Sequence, residues 1–224
     1  MISRLPKWIE YGAFVLALVA GFINAIGLLG FEHQAVSHLS GTATLLGTSV
    51  LGNSATVSLY LAGMLFAFFL GASLSGYLLH GSTLRLGQHY DTALVVESLL
   101  LFGAFYLLSG GSVFGMFAAS AACGLQNAMA TQYSGAVVRT THLTGIFTDL
   151  GMMLGAFLRG EGFDRRKALL FLIIISGFIA GGTLGAMLFE ALRFKSLLVP
   201  GTVCLVLAGC YRLYSARYRQ VSDQ

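Results

Sequence analysis

Two segments of the chain carry the same cluster of hydroxyl and imidazole side chains. Residues 37–47, SHLSGTATLLG, return as residues 141–151, THLTGIFTDLG, with six identities and two exchanges of Ser for Thr. Hydroxyl groups can hydrogen-bond a polar solute, and an imidazole can also carry a proton near neutral pH. The candidate solute-contacting residues in the two segments are therefore His38, Ser40, Gly41, Thr44, His142, Thr144, Gly145 and Thr148.

Two further matches flank these segments in the same order. Upstream, residues 21–25 (GFINA) return as residues 124–128 (GLQNA), so that Asn24 corresponds to Asn127. Downstream, residues 71–74 (GASL) resemble residues 181–184 (GGTL). Three matches in one order indicate an internal duplication. We predict a single membrane domain over residues 1–224, with one repeat over 11–110 and the other over 111–215.

The paired asparagines and histidines each have two interpretations. The amides of Asn24 and Asn127 could contact a solute, or could bond the backbone of the neighbouring motif segment, which we favour. His38 and His142 could relay protons, or could be hydrogen-bonded to a carbonyl at the membrane interface, which we also favour.

Acidic residues inside apolar sequence are costly and indicate function by default. Asp149 lies inside the second motif, where the first motif has Leu45, and we predict Arg139 or His142 as its partner. Glu97 lies within another apolar stretch, near enough to its edge to reach the lipid headgroups.

Composition identifies the elements that must position these residues. With 56% hydrophobic and 10% charged residues and a mean hydropathy of +0.80, the chain has too little polar surface for a soluble globule. We predict an all-α integral membrane protein. Six stretches are long enough to cross a hydrocarbon core of about 30 Å, namely residues 11–31, 57–79, 92–109, 112–131, 168–190 and 197–214.

The motif segments, residues 38–51 and 142–158, are shorter, and we predict two re-entrant or half-helices with Ser37 and Thr141 as N-caps. If they do not cross, and both termini are cytoplasmic, eleven of the 13 Lys and Arg residues lie inside, the exceptions being Arg193 and Lys195. If they do cross, giving eight spans, the split falls to nine against four. Six spans place three in each repeat, so the two repeats would be inverted.

A helix that begins inside the membrane presents free N–H groups and a positive dipole end to an anionic or carbonyl-bearing ligand. Small and hydroxyl residues at this spacing are equally typical of close helix packing. Packing is also what we predict for the GxxxG pattern of Gly177, Gly181 and Gly185, within the fold rather than between protomers of a homo-oligomer.

The motifs at residues 21–25, 40–42 (SGT), 124–128 and 144–145 (TG) resemble those of the YoaK-like family of bacterial membrane proteins, domain of unknown function 1275. The resemblance covers most of the chain, from about residue 10 to about residue 215. It implies a multi-pass protein of the bacterial inner membrane, and it brings no established activity with it.

Enzyme motifs are missing from the sequence: it has no GxxxxGK[ST], HExxH or GxSxG pattern. We therefore expect no enzyme, no cofactor and no metal, and the partners we expect are membrane lipids and a small solute, with no nucleic acid. The leading hypothesis is a secondary transporter or channel with its site between the two motif helices. The alternatives are a membrane scaffold whose motifs only pack helices, and an intramembrane lipid-modifying enzyme.

Overall fold

The structure is a computed structural model that describes residues 7–30, 36–52, 55–79, 89–134 and 139–222. Within these ranges the chain forms helices and no strands: α1 (Lys7–Gly30), α2 (Leu39–Leu51), α3 (Ala55–Leu78), α4 (Tyr90–Ser109), α5 (Phe114–Tyr133), α6 (Leu143–Leu158), α7 (Arg165–Leu192) and α8 (Leu198–Ser222). A short 3-10 helix, Arg193–Leu197, joins α7 to α8. Every predicted apolar stretch and both motif segments are helical, which confirms the all-α prediction. Of the basic residues used to predict topology, Arg4 and Arg85 lie outside the described ranges.

Four apolar stretches among the described residues are long enough to cross a membrane. They are Glu10–Gly30, Ala55–Leu78, Tyr90–Ser109 and Arg165–Ser215, the last of which takes in α7, the 3-10 helix and α8. Large apolar side chains such as Phe66, Phe69 and Leu172 are exposed, as expected of a surface that faces lipid. These helices fit a multi-pass membrane protein.

Helix α5 is 20 residues long but is not among these stretches. Its sequence includes Ser120, Gln126, Asn127 and Gln132, whose polar side chains lower its hydropathy. Ser120 and Gln126 are fully buried, so the polar side of α5 faces the protein rather than the outside.

Helices α1 and α7 cross with their backbones in contact. A Cβ added at Gly181 would collide with the carbonyl oxygen of Leu18, and one added at Gly21 with that of Phe178. Gly177 faces Phe14, and two turns later Gly185 faces Phe22, so the two helices run parallel. The GxxxG pattern therefore packs within the fold, as predicted.

Helices α3 and α5 make a crossing of the same kind. A Cβ at Gly71 would collide with the carbonyl oxygen of Ala121, and one at Gly124 with that of Phe68. Ser120 Oγ donates to the carbonyl of Met64 at 2.9 Å, and these two residues each lie one turn before the contacting pair Gly124 and Phe68. The two helices are therefore also parallel. The four glycines that approach a neighbouring backbone most closely, Gly21, Gly71, Gly124 and Gly181, are also matched between the sequence repeats.

Helices α1 and α5 are antiparallel to each other. Ala13 and Ala17, early in α1, share a buried cluster with Ala130, late in α5. Ile23, late in α1, shares another with Ala119, early in α5. The α1/α7 pair therefore points in the opposite direction to the α3/α5 pair.

Helices α4 and α8 also pack antiparallel, with the rings of Tyr90 and Tyr211 5.8 Å apart at one end. Glu97 lies in this interface and is fully buried, with its carboxyl facing the thiol of Cys204. The prediction that Glu97 could reach the headgroups is therefore wrong: it lies on the inner face of α4, about 10 Å along the helix from Tyr90.

Candidate functional site

The first motif begins inside the helix bundle, where Asn24 holds it. Asn24 Oδ1 accepts hydrogen bonds from the backbone N–H of Ser37 at 3.2 Å and from its hydroxyl at 2.8 Å. Asn24 is six residues before the end of α1, about 9 Å along the helix. Val36 and Ser37 are buried, and the carbonyl of Val36 accepts from Ser120 Oγ at 3.3 Å. Val36 and Ser37, just before α2, therefore lie inside the bundle.

The second motif also begins inside the bundle. Thr140, two residues before His142, is fully buried. Asn127 is six residues before the end of α5, at the same depth in its helix as Asn24 in α1. However, Asn127 Oδ1 is buried without a hydrogen-bond partner among the described residues.

The N-caps are one residue later than predicted. They are His38 for α2 and His142 for α6, rather than Ser37 and Thr141, and neither imidazole makes a capping hydrogen bond. The first-turn N–H groups of both helices therefore receive no side-chain cap. Each ring lies against the glycine three residues on, since a Cβ at Gly41 would collide with His38 and one at Gly145 with His142.

The starts of the two motif helices open onto one cavity of about 650 Å³. The described residues that line it come from α2 and its approach, from α3, from α5, and from α6 and its approach: Ser37, His38, Leu39, Ser40, Phe68, Asn127, Ala128, Thr131, Gln132, Arg139, Thr141, His142 and Thr144. Of the predicted site residues, His38, Ser40, Asn127, His142 and Thr144 are thus brought together.

The cavity has a positive electrostatic character. Arg139 is exposed and is the one lining residue among those described that is permanently charged, and no Asp or Glu is among them. The N-terminal ends of α2 and α6 add positive partial charge from the helix dipoles. Within the described ranges, no three His, Cys, Asp or Glu side chains come together to hold a metal ion.

Six predicted site residues lie away from the cavity lining. Asn24 Oδ1 is hydrogen-bonded to Ser37, and the rings of His38 and His142 lie against Gly41 and Gly145. Thr44 and Thr148 are exposed, and their hydroxyls donate to the carbonyls of Ser40 and Thr144 on their own helices, both at 2.9 Å. The sixth is Asp149.

Asp149 pairs with neither predicted partner. Its Oδ2 lies 3.3 Å from Nζ of Lys167, at the start of α7, and about two-fifths of its side chain is exposed (38%). The prediction of Arg139 or His142 was wrong because α6 runs away from the cavity, which brings its second turn beside α7. Asp149 is therefore part of a surface ion pair.

Sequence reasoning missed Arg139, Thr131 and Gln132 as lining residues. The signal for Thr131 was its position one helical turn after Asn127, whose carbonyl its hydroxyl contacts at 2.7 Å. Arg139 was interpreted as a topology signal and as a possible partner of Asp149, although it stands three residues before His142.

Comparison with known proteins places the chain in a family. A family model described as "Protein of unknown function (DUF1275)" matches residues 12–210. No curated protein and no solved structure matches the chain. The match covers both motifs, the cavity and all four close glycines. The chain belongs to the DUF1275 family, as its motifs predicted.

Proposed function

We propose that the protein is a transporter or channel for a small solute, whose path passes through the cavity between the starts of α2 and α6. The observation that carries this proposal is that two helix starts, far apart in sequence, place polar side chains on one cavity among apolar helices. Transporters commonly bind their solutes between helices that begin inside the membrane. His38, Ser40, Asn127, His142 and Thr144 are the proposed contacts.

The proposal includes an inverted duplication. The halves are α1–α4 and α5–α8, each with three crossings and one re-entrant motif helix. Support comes from the antiparallel packing of α1 against α5 and from the reciprocal crossings at Gly21 and Gly181 and at Gly71 and Gly124. In this arrangement α2 enters the bundle from one side of the membrane and α6 from the other.

We further propose that the protein lies in the bacterial inner membrane with both termini cytoplasmic. The start of α1 and the end of α8 lie at the same end of the bundle, because Gly12 and Tyr214 line one groove. The start of α7, with Arg165, Arg166 and Lys167, is at that end too, since Arg166 lies 3.5 Å from Glu10. Basic residues favour the cytoplasmic side.

Solute flux into proteoliposomes tests the function. We expect the full chain to carry at least one solute of a broad panel, and Asn127→Ala to reduce that flux at least tenfold relative to Thr202→Ala. Thr202 is a matched control because it is an exposed hydroxyl residue on α8, bonded to its own helix. Flux equal to that of empty liposomes for every solute would instead favour the scaffold, and changed lipid mass spectra on overexpression would favour the enzyme.

Cysteine labelling tests the topology. In a variant lacking the three native cysteines, Gly52→Cys and Ser109→Cys should react with an impermeant reagent from outside the cell. Glu161→Cys should react only after permeabilisation. Six crossings and eight crossings both place residue 161 inside, so it is the reference. Protection of residues 52 and 109 from outside labelling would indicate eight crossings and overturn the re-entrant arrangement.

A further inference from the structure

From the cavity we infer that the solute is a small organic acid that carries a hydrogen-bond donor, N–H or O–H, next to its carboxylate. This inference rests on the proposed function, because it names the solute class of the same cavity. It is argued from the charge, the helix ends and the unused acceptor atoms that line the cavity.

The charge of the cavity favours an anion. Arg139 makes no ion pair with any described residue, although three other basic residues of the chain do. An exposed guanidinium in a cavity whose described lining includes no carboxylate is available to an anionic ligand. Its planar fork of N–H donors matches the two oxygens of a carboxylate.

The two helix ends favour the same group. Neither His38 nor His142 caps its helix with its side chain, so the first-turn N–H groups of α2 and α6 are free to bind an anion. Helices α2 and α6, with 13 and 16 residues, are long enough to have appreciable dipoles. Ser40 and Thr144, on the first turns, add hydroxyl donors.

The unused acceptors favour a hydrogen-bond donor on the solute. Asn127 Oδ1 and Gln132 Oε1 are both buried and without a hydrogen-bond partner among the described residues. Both residues line the cavity. Buried acceptors without partners are costly, and a simple carboxylate cannot satisfy them. An N–H or O–H group beside the carboxylate can do so while the carboxylate faces Arg139.

The size of the cavity agrees with this class. Its volume of about 650 Å³ lies within the range of roughly 300–1,000 Å³ that is usual for small-molecule sites. Hydroxy acids and amino acids of a few carbons fit this space.

Calorimetric titration of the purified full chain in nanodiscs tests the inference. The probes are L-lactate and L-alanine, which carry both groups, together with acetate, ethanolamine and inorganic phosphate. We expect lactate or alanine to bind more tightly than acetate, and Arg139→Gln to weaken that binding about tenfold or more. Arg139→Lys, which keeps the charge but not the fork, should lose less. Arg212→Gln, an exposed arginine on α8 outside the cavity lining, should bind as the parent does.

The Asn127→Ala variant tests recognition of the hydrogen-bond donor of the solute separately from recognition of its carboxylate. We expect it to remove the preference for lactate or alanine over acetate while leaving acetate binding unchanged. Acetate, ethanolamine or phosphate binding most tightly in the parent, or an Arg139→Gln variant that binds as the parent does, would overturn the inference.

Flux and binding together distinguish this inference from the proposed function. Acid binding without flux in proteoliposomes would support the ligand class and overturn transport. Flux of another solute with no acid binding would support transport and overturn the ligand class.

Discussion

The two motif regions share their residue types but use them differently. Asn24 and Asn127 lie at the same depth in α1 and α5, yet Asn24 Oδ1 accepts two hydrogen bonds from Ser37 and Asn127 Oδ1 accepts none from a described residue. The first amide fixes the path of the chain into α2, and the second opens onto the cavity. Residues at matching positions of the two sequence motifs therefore need not have the same role.

The contacts that tie the two motif helices to their neighbours differ as well. Helix α2 is tied to α3 by the hydroxyls of Ser49 and Ser58, 2.8 Å apart. Helix α6 is tied to α7 by the ion pair of Asp149 and Lys167. Both helices are thus anchored to the next helix in sequence, one through neutral groups and the other through charges.

The largest effects on stability are expected at the close glycine contacts, a feature that the α1/α7 and α3/α5 crossings share. Gly71→Ala and Gly181→Ala each force a methyl group into the backbone of a neighbouring helix, and we expect each to lower the free energy of unfolding by about 2–3 kcal/mol. Denaturant titration in detergent micelles would measure this. The matched control is Gly182→Ala, whose Cβ would make an ordinary contact of 3.8 Å with Gly21 O. Equal stability of all three variants would show that the crossings are not close.

The next-largest effect on stability tests whether Asn24 and Asn127 have different roles. Asn24→Ala leaves the buried N–H and hydroxyl of Ser37 without an acceptor, so we expect a loss of about 1–3 kcal/mol in unfolding free energy. Asn127→Ala removes an acceptor that no described donor uses, and it should leave stability within about 0.5 kcal/mol of the parent. Losses of equal size in the two variants would remove the distinction between a structural and a ligand-binding amide.

A smaller effect is expected at the far end of α2. Ser58→Ala removes one hydroxyl of the Ser49–Ser58 pair, which is only partly buried, and should cost about 0.5–1 kcal/mol. Thermal unfolding monitored by circular dichroism would detect it. Ser73→Ala is the control, because that hydroxyl is exposed and bonds only its own helix. A Ser58 variant no less stable than the control would mean that α2 is held by its start alone.

The smallest effect belongs to the ion pair of α6. Asp149→Asn should cost about 0.2–1 kcal/mol at low salt and less at 1 M salt, because both side chains are partly exposed and the charges are screened. Unfolding at two ionic strengths would show this. It should leave solute flux unchanged, contrary to what its place in the motif suggested. A large loss of flux would return Asp149 to the solute pathway.

The sequence was sufficient for features that depend on local pattern. The lengths of the apolar stretches located each helix, the repeated motif indicated that the two helix starts belong together, and small residues at every fourth position indicated that α7 packs closely within the fold. Features set by the path of the chain through space were not predictable. Arg139 lines the cavity and Asp149 meets Lys167, and both contacts depend on how separate helices pack together.

The asymmetry of the asparagines had no local signal. Asn24 stands 13 positions before Ser37, and Asn127 stands 14 positions before Thr141, so the two spacings are nearly the same. Neither composition nor spacing distinguishes the bonded amide of Asn24 from Asn127 Oδ1, which has no partner among the described residues.

The two backbone-to-backbone crossings also limit how the molecule can move. Helices locked through glycine cannot slide past each other without separating, so α1 with α7, and α3 with α5, should each turn as one rigid strut. Motion of one strut against the other would occur where α1 meets α5, among small alanine side chains that leave room for a change of angle.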